Sequence, residues 1–217
     1  MALDFYHGHG SPYSWRVWLA LEHKAVSYNL KVLSFQDNDT TKPEFVALNP
    51  RHTVPTIVDD GYSLWESMAI LEYLDERFTT GAKLYPGDAK ARARLRRLVR
   101  EAEEYLGGEG IDPITGELFF KEAGAAPDQG RVAKARERLH EELEYFAREM
   151  RGKFLAGDAP CAADFVLYPY LGYCWRIGVR KPETKMDELM PAPMAEYKKR
   201  IEALPFFDKT FPPHWRS

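Results

Sequence analysis

The chain has 217 residues, 45% hydrophobic and 29% charged, proportions ordinary for a folded globular protein and wrong for a disordered, collagen-like or disulfide-rich one. A net charge of −3 is too nearly balanced for a protein whose main task is to neutralise phosphate backbone, so no nucleic-acid partner is expected. The opening MALDFYHGHG has neither a basic n-region nor an apolar h-region, no run of 18 apolar residues occurs, and Cys161 and Cys174 sit in no metal-ligand spacing; the expectation is a cytoplasmic protein with no membrane partner, no disulfide framework and no metal.

Two segments differ in pattern. Residues 1–80 hold 6 Lys+Arg against 11 Asp+Glu, and residues 81–217 hold 24 against 22. In the first, Leu3–Tyr6 reads as a strand, Pro12–His23 as an amphipathic helix, and Val26–Leu33 as a second strand with Leu30 and Val32 alternating against polar neighbours. A short helix at Pro43–Leu48 follows, then a strand at Thr56–Asp59, an Asp60-Gly61 hairpin turn, a strand at Tyr62–Trp65 and a helix over Ser67–Phe78. The predicted order is β-α-β-α-β-β-α, an α/β domain over residues 1–80.

Past the Pro86-Gly87-Asp88 linker the pattern is helical, so residues 89–217 are expected to form an all-α domain. Ala91, Leu95, Leu98, Ala102 and Tyr105 make one stripe, and Val132, Ala135, Leu139, Leu143, Phe146 and Met150 make another, each on one helix face. Two antiparallel helices are the simplest packing. A further helix begins near Ala162, with Pro169 expected to kink or end it, and another covers Pro193–Ala203. Gly107–Gly110 and Gly124–Gly130 read as loops. The basic run Lys90, Arg92, Arg94, Arg96, Arg97 and Arg100 reads as a solvated face, because Glu101, Glu103 and Glu104 follow within i,i+4 reach.

Four short segments can carry chemistry. Ser11 precedes Pro12 at the first helical position, so it is an N-cap candidate and equally a hydroxyl at a positive helix end, where thiol pKa values fall. Tyr6, Tyr13 and Ser14 are alternative hydroxyls nearby. Val54-Pro55 enters a strand, a place where a cis peptide is possible and where exposed backbone groups can pair with a peptide-like ligand. Glu66-Ser67 opens a helix, where an N-cap and a site for a ligand carboxylate are alternative readings. His7-x-His9 is weak as a metal pair and reads as part of a solvated loop.

Together the segments SPYSWRV (11–17), NPRHTVPT (49–56) and ESMAILEYL (66–74) make the chain resemble the cytosolic glutathione transferase superfamily. The resemblance spans the whole chain, and SPYSWRV is similar to the serine-type classes, zeta in particular. It implies a thioredoxin-like N-terminal domain and a helical C-terminal domain forming the electrophile-site wall. It also implies glutathione as co-substrate and a homodimer. By resemblance, Ser11 activates the thiol, Val54 pairs by its backbone with the cysteinyl part of glutathione, and Pro55 is cis. Glu66 and Ser67 would hold the γ-glutamyl end, with His52 toward the glycine carboxylate and Thr53 beside it among the glutathione-binding residues. Tyr13, Tyr105, Leu106, Tyr168 and Trp175 are the expected electrophile-site residues. The implied activity is attack of the glutathione thiolate on a hydrophobic electrophile; a glutathione-dependent isomerase or dehalogenase, or a non-catalytic interaction module, are the alternatives. One departure stands out: the family's Ser or Thr N-cap in the second domain is Cys161 here, three residues before Asp164, which predicts a weaker reciprocal cap.

Overall fold

Strand β1 (Leu3–His7) alternates Leu3, Phe5 and His7 inward with Asp4 and Tyr6 on the other face, the period-2 pattern of a strand with one face fully packed. It is described here from a computed structural model covering residues 3–122 and 124–216. Ser11 and Pro12 then start α1 (Pro12–His23), which buries Trp15, Val17, Trp18, Leu19, Ala20 and Leu21. Next come β2 (Tyr28–Val32), the short α2 (Pro43–Val46), the hairpin β3 (Thr56–Asp59) and β4 (Tyr62–Trp65), and α3 (Ser67–Arg77). The sheet order is β2-β1-β3-β4. β1 is parallel to β2 and antiparallel to β3, and β3 is antiparallel to β4. The expected element order is therefore present, with β2 shorter than the Val26–Leu33 run. Phe5 and His7 meet Trp18 of α1 with ring centroids 6.5 and 4.6 Å apart, so the packed face of β1 is the one that α1 covers.

The chain forms two compact units, Met1–Pro86 with Leu204–Ser217, and Gly87–Ala203. The helical domain was expected to run to residue 217; instead the last residues join the first unit. The cause is Trp15, whose indole N–H donates to Thr210 Oγ1 at 3.1 Å and whose ring meets Phe211 and Trp215 at 5.7 and 5.5 Å. Lys209 adds an ion pair to Glu22 at 2.6 Å.

The second unit holds α4 (Ala89–Glu101), a π-helical stretch (Ala102–Ile111), α5 (Asp112–Phe119), α6 (Gln129–Glu149), α7 (Ala162–Arg180) and α8 (Ala192–Glu202). The antiparallel reading of the two stripes agrees with their cross-links: Arg94 pairs with Glu149, Tyr145 donates to Glu101, and Arg138 pairs with Glu109, so the numbers run in opposite directions. The basic face is only partly a set of i,i+4 pairs. Arg97 bonds Glu101 at 3.0 Å, but Arg94 reaches across to Glu149 and to the Leu155 carbonyl at 2.9 Å.

Two expectations are corrected here. Gly107 and Gly110 lie inside the π-helical stretch, not in a loop. A Cβ at Gly107 would stand 2.7 Å from the Tyr170 ring, and one at Gly110 would stand 3.2 Å from Leu139 Cβ, so these glycines serve close helix packing. Pro169 does not end its helix, which continues to Arg180; the residues around it, from Ala162 to Gly172, are all buried, and packing outweighs the missing backbone donor. Among the described residues, no helix is long and apolar enough to cross a membrane.

Asp164 organises the start of α7. Its Oδ2 accepts from the Cys161 N–H at 2.8 Å and from the Cys161 thiol at 3.0 Å, while Oδ1 accepts from the Leu155 N–H and the Tyr197 hydroxyl, each at 3.0 Å. Both halves of the reciprocal cap are present: the Cys161 sulfur takes the Asp164 backbone N–H, and the Asp164 carboxylate takes the Cys161 N–H and, in addition, its thiol. Burial pushes both the Asp164 carboxyl and the Cys161 thiol above their usual ranges.

Candidate functional site

The first unit holds all four chemistry-bearing segments. Ser11 caps α1 with an extended backbone, and its Oγ accepts from the Ser14 N–H at 3.3 Å. A serine hydroxyl accepting through a lone pair keeps its own O–H to donate, so the cap and the donor readings of Ser11 are compatible. Ser14 is buried, with its Oγ 3.5 Å from the Gly8 N–H. Tyr6 lies on the opposite face of β1 from His7, its ring 5.7 Å from Phe45; burial and the Asp4 charge push its phenol above the usual range, which holds the proton on the ring oxygen. Tyr13 is half-buried beneath the Arg16 guanidinium, 5.0 Å from the ring centroid.

The Val54-Pro55 peptide bond is cis. Asn49 anchors the loop before it, donating to the Thr53 carbonyl at 2.9 Å and to Thr56 Oγ1 at 3.0 Å, while its Oδ1 accepts from the Arg51 N–H. His52 and Thr53 are exposed, and His52 has φ +57. Glu66, also exposed, takes φ +68 just ahead of α3, so the backbone turns sharply into the helix at Ser67. Ser67 is 7% exposed and accepts from Arg16 Nη1 at 3.2 Å. That bond ties the first turns of α1 to the N-terminus of α3. A Cβ built on Gly8 would sit 3.1 Å from Val54 Cγ2 and 2.5 Å from the Phe35 ring, so the turn leading to Ser11 lies directly against Val54. The Gly8–Ser11 turn thus packs on Val54, and α1, which that turn begins, is bonded through Arg16 to Ser67.

Side chains missed in the sequence enter here. Phe35 is 52% exposed against Gly8, in a segment with no pattern to mark it. Arg16 was visible only as the arginine of SPYSWRV. His7 is not in a solvated loop: it is 1% exposed, because strand alternation points it toward Trp18, and its Nε2 lies 3.1 Å from His9 Nδ1. No group of three His, Cys, Asp or Glu side chains among the described residues is placed to hold a metal ion.

The proposed electrophile-site residues of the second unit are differently placed. Tyr105 is half-buried, with the Arg138 guanidinium 5.4 Å from its ring centroid. Leu106 and Tyr168 are fully buried, and the Tyr168 hydroxyl donates to Glu202 at 3.0 Å, so both belong to the packed interior and neither is carried forward as a wall residue. Trp175 is 40% exposed and opens on a cavity of about 660 Å³ with Val179, Met186 and Met190.

Comparison with known proteins gives these geometries a context. Residues 10–77 match the family described as glutathione S-transferase, N-terminal domain, and residues 129–200 match glutathione S-transferase, C-terminal domain. Glutathione S-transferase D7 of Drosophila melanogaster is 31% identical over 168 residues, covering 76% of this chain and 71% of that protein. A glutathione S-transferase structure from the Antarctic clam Laternula elliptica superposes with a TM-score of 0.84 at 26% identity, covering 100% of this chain and 95% of that one. One from Rhodospirillum rubrum gives 0.77 at 26% identity, covering 98% and 97%.

Proposed function

This chain belongs to the glutathione S-transferase family, and from that premise we propose that it activates glutathione at Ser11 for attack on a hydrophobic electrophile. The observation that carries the reading is the placement of Ser11: an N-cap hydroxyl with its proton free to donate, on a turn packed against Val54. The Ser11 O–H donates to the glutathione sulfur, and the N-terminus of α1 adds its positive dipole. The Val54 backbone pairs with the cysteinyl unit. Glu66 and Ser67 hold the γ-glutamyl end at the start of α3, whose first N–H groups suit a carboxylate. His52 and Thr53, exposed on the preceding loop, face the glycine carboxylate, and Tyr13 borders the electrophile. The protein acts as a cytoplasmic homodimer, checked by sedimentation: a 25.0 kDa species at micromolar concentration would remove the dimer.

The magnitudes are sufficient. A free thiol titrates near pKa ~8.5, and bringing it to about 6.5 requires roughly 2.7 kcal/mol. A hydrogen bond to a charged group contributes about 1.5–3 kcal/mol and a helix N-terminus about 0.3–1. Thiolate absorbance of bound glutathione, titrated against pH in wild type and Ser11→Ala, tests the assignment. A depressed thiol pKa that rises in the variant supports Ser11; a depressed pKa that does not move transfers the role to Tyr13 or Ser14. Net consumption of glutathione with an electrophile separates conjugation from isomerisation, in which glutathione is returned.

A further inference from the structure

Three imidazoles meet at the turn between β1 and α1, and the reading above uses none of them. The turn is Gly8–Ser11, closed by the Ser11 N–H donating to the Gly8 carbonyl at 3.2 Å, with Gly10 at φ +86 in the position where a type II turn needs glycine. His9 is its second residue. His7 approaches from the packed face of β1, its Nε2 3.1 Å from His9 Nδ1. On the other side His214 of the C-terminal segment lies over Gly10, where a Cβ would stand 3.2 Å from its Nε2. Trp18 backs the pair, 4.6 Å from the His7 ring and 6.0 Å from that of His9.

Burial assigns the tautomers. His7 Nδ1 is enclosed with no hydrogen-bond partner among the described residues, so a proton there would be an orphaned donor, the rarest kind of buried polar group. The proton therefore sits on His7 Nε2 and is donated to His9 Nδ1. A neutral His9 that accepts at Nδ1 carries its own proton on Nε2. Burial, together with the imidazoles beside them, His9 for His7 and His214 for His9, keeps both rings uncharged at neutral pH: His7 is lowered to about 3, and His9 lies below its usual value. The result is a fixed N–H donor on a half-buried ring, two residues before the proposed sulfur-activating hydroxyl.

We propose that His9 is a specificity-determining residue of the transferase reaction, its Nε2–H donating to an oxygen on the electrophile and so favouring substrates that develop negative charge on nitro or carbonyl oxygens. His7 is a positioning residue that holds the His9 tautomer. The inference rests on the thiolate reading of Ser11. With 1-chloro-2,4-dinitrobenzene as the probe, the sulfur electron pair forms the C–S bond and the ring spreads the charge onto its nitro oxygens. Chloride then leaves with the C–Cl pair, the thiol proton having passed to water, and His9 keeps its proton throughout.

The test compares kcat/KM for 1-chloro-2,4-dinitrobenzene with that for benzyl chloride, which offers no oxygen acceptor, in wild type, His9→Phe and His9→Gln, and follows glutathione thiolate absorbance in each. His9→Phe should lower the ratio of the two kcat/KM values about tenfold, the effect of losing one hydrogen bond at the transition state. His9→Gln, which keeps an N–H, should restore most of it. The thiol pKa should stay where it is in wild type. Equal losses on both probes, a shifted thiol pKa or an unchanged ratio would overturn the role of His9 while leaving Ser11 in place. Absence of bound thiolate in the wild-type protein would instead overturn the Ser11 reading, and this one with it.

Discussion

Asp164→Ala removes the acceptor for four donors that are already out of water. The Cys161 and Leu155 N–H groups and the Tyr197 hydroxyl bond its oxygens at 2.8–3.0 Å, and the Cys161 thiol adds a weaker bond at 3.0 Å. Bonds to a charged acceptor contribute about 1.5–3 kcal/mol each, so the three stronger ones are worth roughly 5 kcal/mol. Burying the carboxylate itself costs free energy, which the alanine variant recovers, and that returns about 1–2 kcal/mol. The expected net loss is about 3–4 kcal/mol, a large part of the ~5–15 kcal/mol available to a folded domain. For a chain of this length that lowers Tm by about 6–16 °C. Asp164→Asn should lose roughly half as much, because one oxygen still serves Leu155 and Tyr197 while the amide meets the Cys161 N–H with a second donor. Urea unfolding followed by far-ultraviolet circular dichroism measures both. A loss under about 1 kcal/mol for the alanine variant would refute the claim that this carboxylate anchors α7.

Two further outcomes follow from packing and burial. His7 is held near pKa 3 when folded against 6.5 when unfolded, chiefly by burial, so its contribution is present above pH 6.5 and lost as pH falls toward 3; between pH 6.5 and 5 wild type should lose roughly 2 kcal/mol more stability than His7→Phe in parallel urea titrations, and equal slopes would count against a neutral buried His7. Gly107→Ala drives a methyl to 2.7 Å from the Tyr170 ring and hydroxyl, whose O–H donates to Glu103, and should cost about 1–3 kcal/mol in the same assay; a stabilised variant would mean that helix propensity, not close packing, governs this position.

The elements that were legible in the sequence are those whose signals are local. Ser11-Pro12 marks the start of α1, alternation marks β1, and Asp60-Gly61 between two short apolar runs marks the β3–β4 hairpin; each signal needs only neighbours a few residues away. Gly107–Gly110 was read as loop because its glycines disfavour helix on their own, and the partners that make Gly107 and Gly110 useful, Tyr170 and Leu139, are far along the chain. The return of Leu204–Ser217 to the first unit depends on Trp15, about 190 residues away, and leaves no periodic trace. The same holds at the candidate site. Ser11, Val54, Glu66 and Ser67 lie in motifs, while Phe35 and His214 join the Gly8–Ser11 turn only through tertiary packing. His7-x-His9 was visible, but its meaning depends on which face of β1 is covered.

Ser11 allows a test that separates holding a helix from doing chemistry, since a cap needs an acceptor and a thiolate needs a donor. In Ser11→Ala both are gone, so stability should fall by about 1 kcal/mol and the thiol pKa should rise. Ser11→Asp keeps an excellent cap for the Ser14 N–H, and its charge suits the positive end of α1. It nevertheless has no proton to give at neutral pH, and its negative charge opposes the thiolate. Stability should therefore match or exceed wild type while the thiol pKa climbs above that of the alanine variant. Ser11→Thr, which both accepts and donates, should keep both properties near wild type unless its extra methyl meets Tyr13. If the aspartate variant kept a depressed thiol pKa, the helix dipole and the surrounding backbone would be sufficient for thiolate formation, and the hydroxyl would be a cap alone.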